Sequence, residues 1–193
     1  QEDIEAVKLK SAMKAKFIQA GVPVARGQVA HTLAEGLALV EETGYPLVAK
    51  PDIGVGANKT YKIDDRAALE AFFAEKPSQD YFLEAFVTGA IQTFDGLVDQ
   101  NGQVVFKASL QYSAGVMDMV NQGLDFLYWS VRDIPADIEQ LGTRLVQAYN
   151  LRERFFHFEC FRTPDGGLVG LEVNMRPPGG VTTDMWNYAN DID

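Results

Sequence analysis

Basic charge, cysteine and long apolar runs are what this sequence has least of, and each shortage excludes something. Only 17 lysines and arginines stand against 27 aspartates and glutamates, a formal net charge of −10. Without a basic excess few counterions can be displaced from a phosphate backbone, which argues against nonspecific nucleic-acid binding. The one cysteine among 193 residues, Cys160, cannot close an internal disulfide. That fits a reducing cytosol, so a cytoplasmic location is expected. No apolar run approaches the length of a membrane span, and no secretory signal opens the sequence, so no membrane partner is expected. The first residue is Gln1 rather than methionine, and the chain is expected to be a fragment or a processed product. What remains, 47% apolar and 23% charged residues, is an ordinary globular balance with room for one domain or two small lobes. Small molecules are the expected partners.

The pattern along the chain alternates helices with hairpins. Ile4 to Ala20 carries apolar residues at near-helical spacing with lysines on the other side, and Gly21-Val-Pro23 ends it. Thr32-Leu-Ala-Glu35 is a capping box that starts a helix running to about Thr43, where Gly44 stops it. Tyr45 to Lys50 reads as a short buried strand, and a second strand is expected at Thr60 to Ile63 after a glycine-containing loop. Asp64 is expected to cap a helix that runs to about Ala74. Tyr81 to Val87 is strand-like, and Ala90 to Asp99, the Asn101-Gly102 turn and Val104 to Tyr112 read as a hairpin. Gly115 to Asp125 has no clean period and reads as a loop, while Asp137 to Tyr149 is an amphipathic helix. Helices separated by hairpins predict α+β packing with largely antiparallel sheets. About 22–87 are expected to form a small lobe and about 88–193 a large one, able to clamp a ligand between them.

The most informative segment is Phe155 to Arg176. Asp165-Gly166 is a two-residue hairpin signal, and such a turn sets Glu159 opposite Glu172 and His157 opposite Asn174. The other face then carries Phe156, Phe158, Cys160, Val169, Leu171, Val173 and Met175. Like charges directly opposed across strands destabilise a sheet, so a cation is expected between the glutamates. Oxygen ligands with no Cys or His cluster suit a hard ion, and magnesium takes one or two carboxylates and completes its shell with water and phosphates. The bland alternative is a solvated strand face. His157 reads as a hydrogen-bonded structural histidine rather than an acid or base, and Cys160 as a small core hydrophobe.

Lys50 ends a buried strand beside a loop in which Gly54 and Gly56 allow backbone amides to approach an anion. No Gly-Lys-Ser/Thr follows at Walker spacing, and Lys59 with a strand after it excludes a Rossmann fingerprint. A surface hairpin with a snorkelling lysine explains these residues equally well. Taken in order, however, Lys50 with its glycine loop, Glu84-Ala-Phe-Val87 before Gly89, and the closing hairpin with Arg176 resemble the ATP-grasp superfamily. The resemblance covers nearly all of the chain. It extends to Lys10, eleven residues before Gly21-Val-Pro23, and Glu172-x-Asn174-x-Arg176-Pro-x-Gly-Gly looks most like the amino-acid-ligase and carboxylase-like branch.

The resemblance implies an α+β fold whose two lobes hold ATP, and residues to match. Lys10 and Lys50 would contact phosphates, and Gly54, Val55 and Gly56 would form a lid. Glu84 would bind the adenine amino group, with the backbone of Ala85, Phe86 and Val87 along the adenine edge and Phe161 packed under the base. Gln92 stands where the family often has a ribose-binding acid. Glu159, Glu172 and Asn174 would hold Mg2+ or Mn2+, while Arg176 and Lys50 steady the transferring phosphoryl group. Other readings stay open: Lys10 and Lys14 as the wet side of a helix, Glu84 as an edge-strand charge, and Phe161 as core. The implied activity is ATP-dependent joining of a carboxylate to an amine through an acyl phosphate, with a homodimer as one assembly to test. A noncatalytic nucleotide-sensing module and a biotin-carboxylase-like enzyme that activates bicarbonate are the alternatives.

Overall fold

Two antiparallel sheets organise the described residues, one in each of two units. The computed structural model describes residues 6–54, 59–113 and 127–192. It divides into one unit of residues through Ala15 with Val24–Val87, and another of Lys16–Pro23 with Thr88 onward. The expected loop at Gly115 to Asp125 lies outside the described residues.

The expected helix towards Ala20 is interrupted once: residues 6–8 are helical, Leu9 bridges to Ile53, and α1 spans Lys10–Gln19. Asp52 supplies the cap from a distant loop. Its carbonyl accepts the Lys10 amide at 2.9 Å, and its carboxylate accepts the Ser11 amide and hydroxyl at 2.8 Å each. The first-turn donors that a helix start leaves orphaned are thus satisfied from outside the helix.

In the first unit, β1 (Gly27–Val29), β2 (Leu47–Pro51), β3 (Tyr61–Ile63) and β4 (Tyr81–Ala85) form a sheet in the order β1-β4-β2-β3. Helices α2 (Leu33–Thr43) and α3 (Arg66–Glu75) contribute Leu39, Leu69 and Phe72 to a core with Leu47, Ala49, Ile63, Tyr81 and Leu83. The capping box at Thr32 and Glu35 is formed, and Gly44 ends α2 with φ of 75°. The cap of α3 is Asp65, which accepts the Ala68 amide at 2.8 Å, one residue later than expected. Asp64 pairs instead with Lys62 at 2.8 Å.

In the second unit, β5 (Ala90–Val98), β6 (Val104–Ala108), β7 (Leu110–Tyr112), β8 (Tyr128–Ser130), β9 (Arg154–Arg162) and β10 (Leu168–Asn174) form the larger sheet. Its order is β10-β9-β5-β7-β8, with β6 also paired to β5. The expected strand from Val104 to Tyr112 is therefore two strands, broken at Ser109. The Asn101-Gly102 turn forms as predicted, with Gly102 at φ of 83° and Asp99 Oδ1 accepting the amides of Asn101 and Gln103. Helix α4 (Ala136–Ala148) buries Ile138, Leu141, Leu145 and Val146, and α5 (Thr182–Asn190) closes the described chain. Phe94, Phe156 and Phe158 stack within this core, with ring centroids 5.4 and 4.8 Å apart along the series.

The closing hairpin turns by a different route from the one expected. Leu168 pairs with Arg162, so the connection is 163–167 rather than Asp165-Gly166 alone. A bulge between Gly170 and Glu172 then shifts the register, and Glu159 faces Glu172 and His157 faces Asn174 as predicted. The bulge also corrects the face assignments. Gly170 and Val173 turn inward, whereas Leu171 packs with Phe161 near Ile91, Leu110 and Tyr112. A Cβ at Gly170 would stand 2.4 Å from the Phe17 ring, which explains a glycine there.

Candidate functional site

In the first unit, the sheet face away from α2 and α3 carries a buried charge cluster. Strand alternation sends Leu47, Ala49, Tyr81 and Leu83 into the core and leaves Val48, Lys50, Phe82 and Glu84 on the opposite face. Lys50 Nζ lies 2.5 Å from Glu84 Oε1, and Lys14 Nζ lies 2.9 Å from Oε2. Burial alone would raise the Glu84 carboxyl, but the two ammonium groups outweigh it and hold it down at about 2. One helical turn away, Lys10 donates to the Gly54 carbonyl at 3.0 Å and so ties the start of the glycine loop to α1.

This arrangement overturns two of the bland readings. Lys10 and Lys14 are both buried rather than on the wet side of a helix. Glu84 sits on β4, flanked by β1 and β2, and is not an edge-strand charge. Beyond it, the Ala85 amide donates to Arg26 O and the Phe86 amide to Pro46 O, while Lys62 stands 5.1 Å over the Phe86 ring and Val87 is half-buried. Val55 and Gly56 lie outside the described residues.

In the second unit, the register of three strands assembles a polar patch in rows. Asp95, His157 and Asn174 form one row across β5, β9 and β10. Thr93, Glu159 and Glu172 form the next, and Ile91, Phe161 and Val169 the third. Sequence reasoning identified the β9 and β10 members but missed Thr93 and Asp95. The pairing of β5 with β9 spans a long stretch of chain with no turn to fix it, and an aspartate inside the apolar run of β5 was the one available signal.

His157 is hydrogen-bonded and buried, as expected of a structural histidine. Its Nδ1 lies 2.6 Å from Asp95 Oδ1 and its Nε2 lies 2.9 Å from Glu159 Oε1. Burial opposes its charge, but bonds to two carboxylates prevail and push its pKa up to about 10. Cys160 faces the core, where burial pushes its thiol up to about 12, so it behaves as a small hydrophobe.

The remaining residues are placed as follows. Phe161 is half-buried against Ile91, Leu110 and Tyr112. Gln92 donates to Gln111 Oε1 at 2.5 Å and accepts from Arg162 Nε at 3.0 Å, so both ends of its amide are engaged. Arg176 is exposed and donates to Pro177 O at 2.9 Å. Among the described residues no three His, Cys, Asp or Glu side chains converge to cage a metal on their own. Two opposed carboxylates with a neighbouring amide are an all-oxygen donor set, which fits a hard ion that draws its other ligands from water and phosphate.

The fold is that of the ATP-grasp proteins, α+β with antiparallel sheets. No family model matches it. The chain is 25% identical over 184 residues to an L-arginine-specific L-amino acid ligase of Bacillus subtilis, covering 91% of this chain and 45% of that protein. Carboxyaminoimidazole ribonucleotide synthase of Aspergillus clavatus, solved with ATP, superposes with a TM-score of 0.77 at 16% identity over 91% of this chain and 46% of that one. An L-amino acid ligase from Bacillus licheniformis gives 0.72 at 23% identity over 94% and 43%. The chain therefore spans under half the length of these relatives. Among the described residues no helix is long and apolar enough to cross a membrane.

Proposed function

We propose that this chain is the Mg-ATP-binding portion of an ATP-dependent carboxylate–amine ligase, with an amino acid as the carboxylate to test first. The observation that carries the reading is the strand register that opposes Glu159 and Glu172, with Asn174 one pair further on, in a chain of ATP-grasp fold. In this proposal Lys10 and Lys50 bind phosphates, with Gly54 to Gly56 as the lid. Glu84 and the Ala85–Val87 backbone take the adenine, and Phe161 and Gln92 complete the nucleotide contacts. Glu159, Glu172 and Asn174 hold Mg2+ or Mn2+, and Arg176 meets the transferring phosphoryl group.

The chemistry requires two anions to approach one another, the γ-phosphoryl group and the substrate carboxylate. A bound magnesium ion would supply charge neutralisation at the phosphates. Lys50 and Arg176 add fixed positive charge, so the carboxylate attacks phosphorus, ADP leaves, and the resulting acyl phosphate is open to an amine. No covalent protein nucleophile is required. A cytoplasmic location and a homodimer belong to the same proposal.

Titration calorimetry with Mg-ATP tests it. Wild type is expected to bind, and Glu172→Gln to lose about tenfold or more in metal-dependent affinity. Absence of nucleotide binding by both this chain and a full-length parent would overturn the reading, as would metal-dependent binding that is indifferent to Glu172→Gln.

A further inference from the structure

Behind Glu159 runs a chain of hydrogen bonds that the proposed phosphoryl chemistry does not use. The Leu110 amide donates to Thr93 Oγ1 at 2.9 Å, and the Thr93 hydroxyl donates in turn to Asp95 Oδ2 at 2.5 Å. Asp95 Oδ1 holds His157 Nδ1 at 2.6 Å, and His157 Nε2 reaches Glu159 Oε1 at 2.9 Å. Thr93 and Asp95 are fully buried and His157 is 4% exposed, whereas 18% of the Glu159 side chain is open to solvent. Each link therefore leads from the backbone of the sheet outward to one oxygen of one glutamate.

We propose that His157, held from behind by Asp95 and Thr93, is a positioning residue that fixes the Glu159 carboxylate for a divalent cation. The inference rests on the reading of Glu159 and Glu172 as metal carboxylates. A glutamate on a strand has three rotatable side-chain bonds, and it loses that freedom at the moment it binds a cation unless something has fixed it beforehand. The ring is held at both nitrogens, by Asp95 Oδ1 at Nδ1 and by Glu159 Oε1 at Nε2, so it cannot turn without breaking a contact. With Oε1 held at Nε2, the Glu159 carboxylate has a fixed orientation in which Oε2 would be left for a cation. A purely structural purpose explains less well why the chain ends on a partly exposed side chain, since replacing a buried ion pair with apolar residues is often neutral or stabilising.

The test compares two amides. In His157→Gln the side-chain amide can reach Glu159 from the position of Nε2, whereas in His157→Asn it reaches only toward Asp95. Binding of Mn2+ in the presence of ADP, followed by the EPR signal of free Mn2+, is expected to weaken about tenfold or more in His157→Asn. His157→Gln is expected to stay within about threefold of wild type. Equal affinity in all three proteins, or equal losses in both variants, would overturn the inference while leaving the metal reading intact. A wild type that binds no Mn2+ with ADP would overturn both. If the variants do not fold, the wild-type Nε2–H resonance of His157 decides: it is expected to shift on addition of Mg-ADP more than any signal of His31, and an unmoved resonance in a protein that binds Mg-ADP would overturn the inference.

Discussion

Replacing Glu84 with glutamine is expected to destabilise the first unit by about 3–5 kcal/mol, the cost of removing one partner from a buried ion-pair cluster. Lys14 and Lys50 lie 2.9 and 2.5 Å from its two oxygens, and their side chains are only 7% and 15% exposed. A neutral amide of the same shape leaves both ammonium groups without their counterion. The effect has a definite pH signature. The folded pKa of Glu84, about 2, lies below its ordinary 4.5, so its contribution is fully present above pH 4.5 and is lost as pH falls towards 2. The difference between wild type and Glu84→Gln should therefore shrink over that interval and be largely gone at its lower end. Urea unfolding at a series of pH values, with hydrogen exchange read at β2 and β4, measures both predictions. A difference below about 1 kcal/mol at pH 7 would show that the lysines do not need the carboxylate.

Phe156→Ala is the second large effect, expected to cost about 3–5 kcal/mol in the second unit. The ring is fully buried, with its centroid 5.4 Å from that of Phe94 and 4.8 Å from that of Phe158, and its removal leaves a cavity that close-packed neighbours fill only in part. Phe156 also precedes His157 on β9, so the lost support lies directly behind the strand that carries the polar rows. Both tryptophans, Trp129 and Trp186, lie in this unit, which makes intrinsic fluorescence a specific probe of its unfolding. The midpoint of thermal unfolding is expected to fall by about 10 °C, and Phe156→Leu to fall less, because it refills much of the volume.

Sequence patterns predicted well what is decided locally. The Thr32–Glu35 capping box, the Asn101-Gly102 turn and the apolar stripe of α4 each depend on residues a few positions apart, and each formed as read. The opposition of Glu159 to Glu172 was also read correctly, but through the wrong turn. A longer connection at 163–167 and a bulge at Leu171 compensate for one another, and only the far end of the hairpin matches a plain Asp-Gly loop. Long-range partners were not legible. Asp52 capping α1, Lys14 reaching Glu84, and Asp95 holding His157 all join segments whose approach is set by the sheets and not by spacing in the sequence. Three-residue strands such as β1 and β8 carry too short a pattern to register on their own.

The bulge at Leu171 also bears on how the hairpin can change length. Because Gly170 pairs with Cys160 and Glu172 with Glu159, Leu171 has no partner of its own across the strands. A chain one codon shorter at that position could run as a plain ladder with every other pair intact, keeping the two glutamates face to face and Val173 inward. Loss of Val173, beyond the bulge, has no such spare position to absorb it and would slide Asn174 past His157. Leu171 thus acts as slack in the strand, a position where one residue can be lost without disturbing the acidic pair.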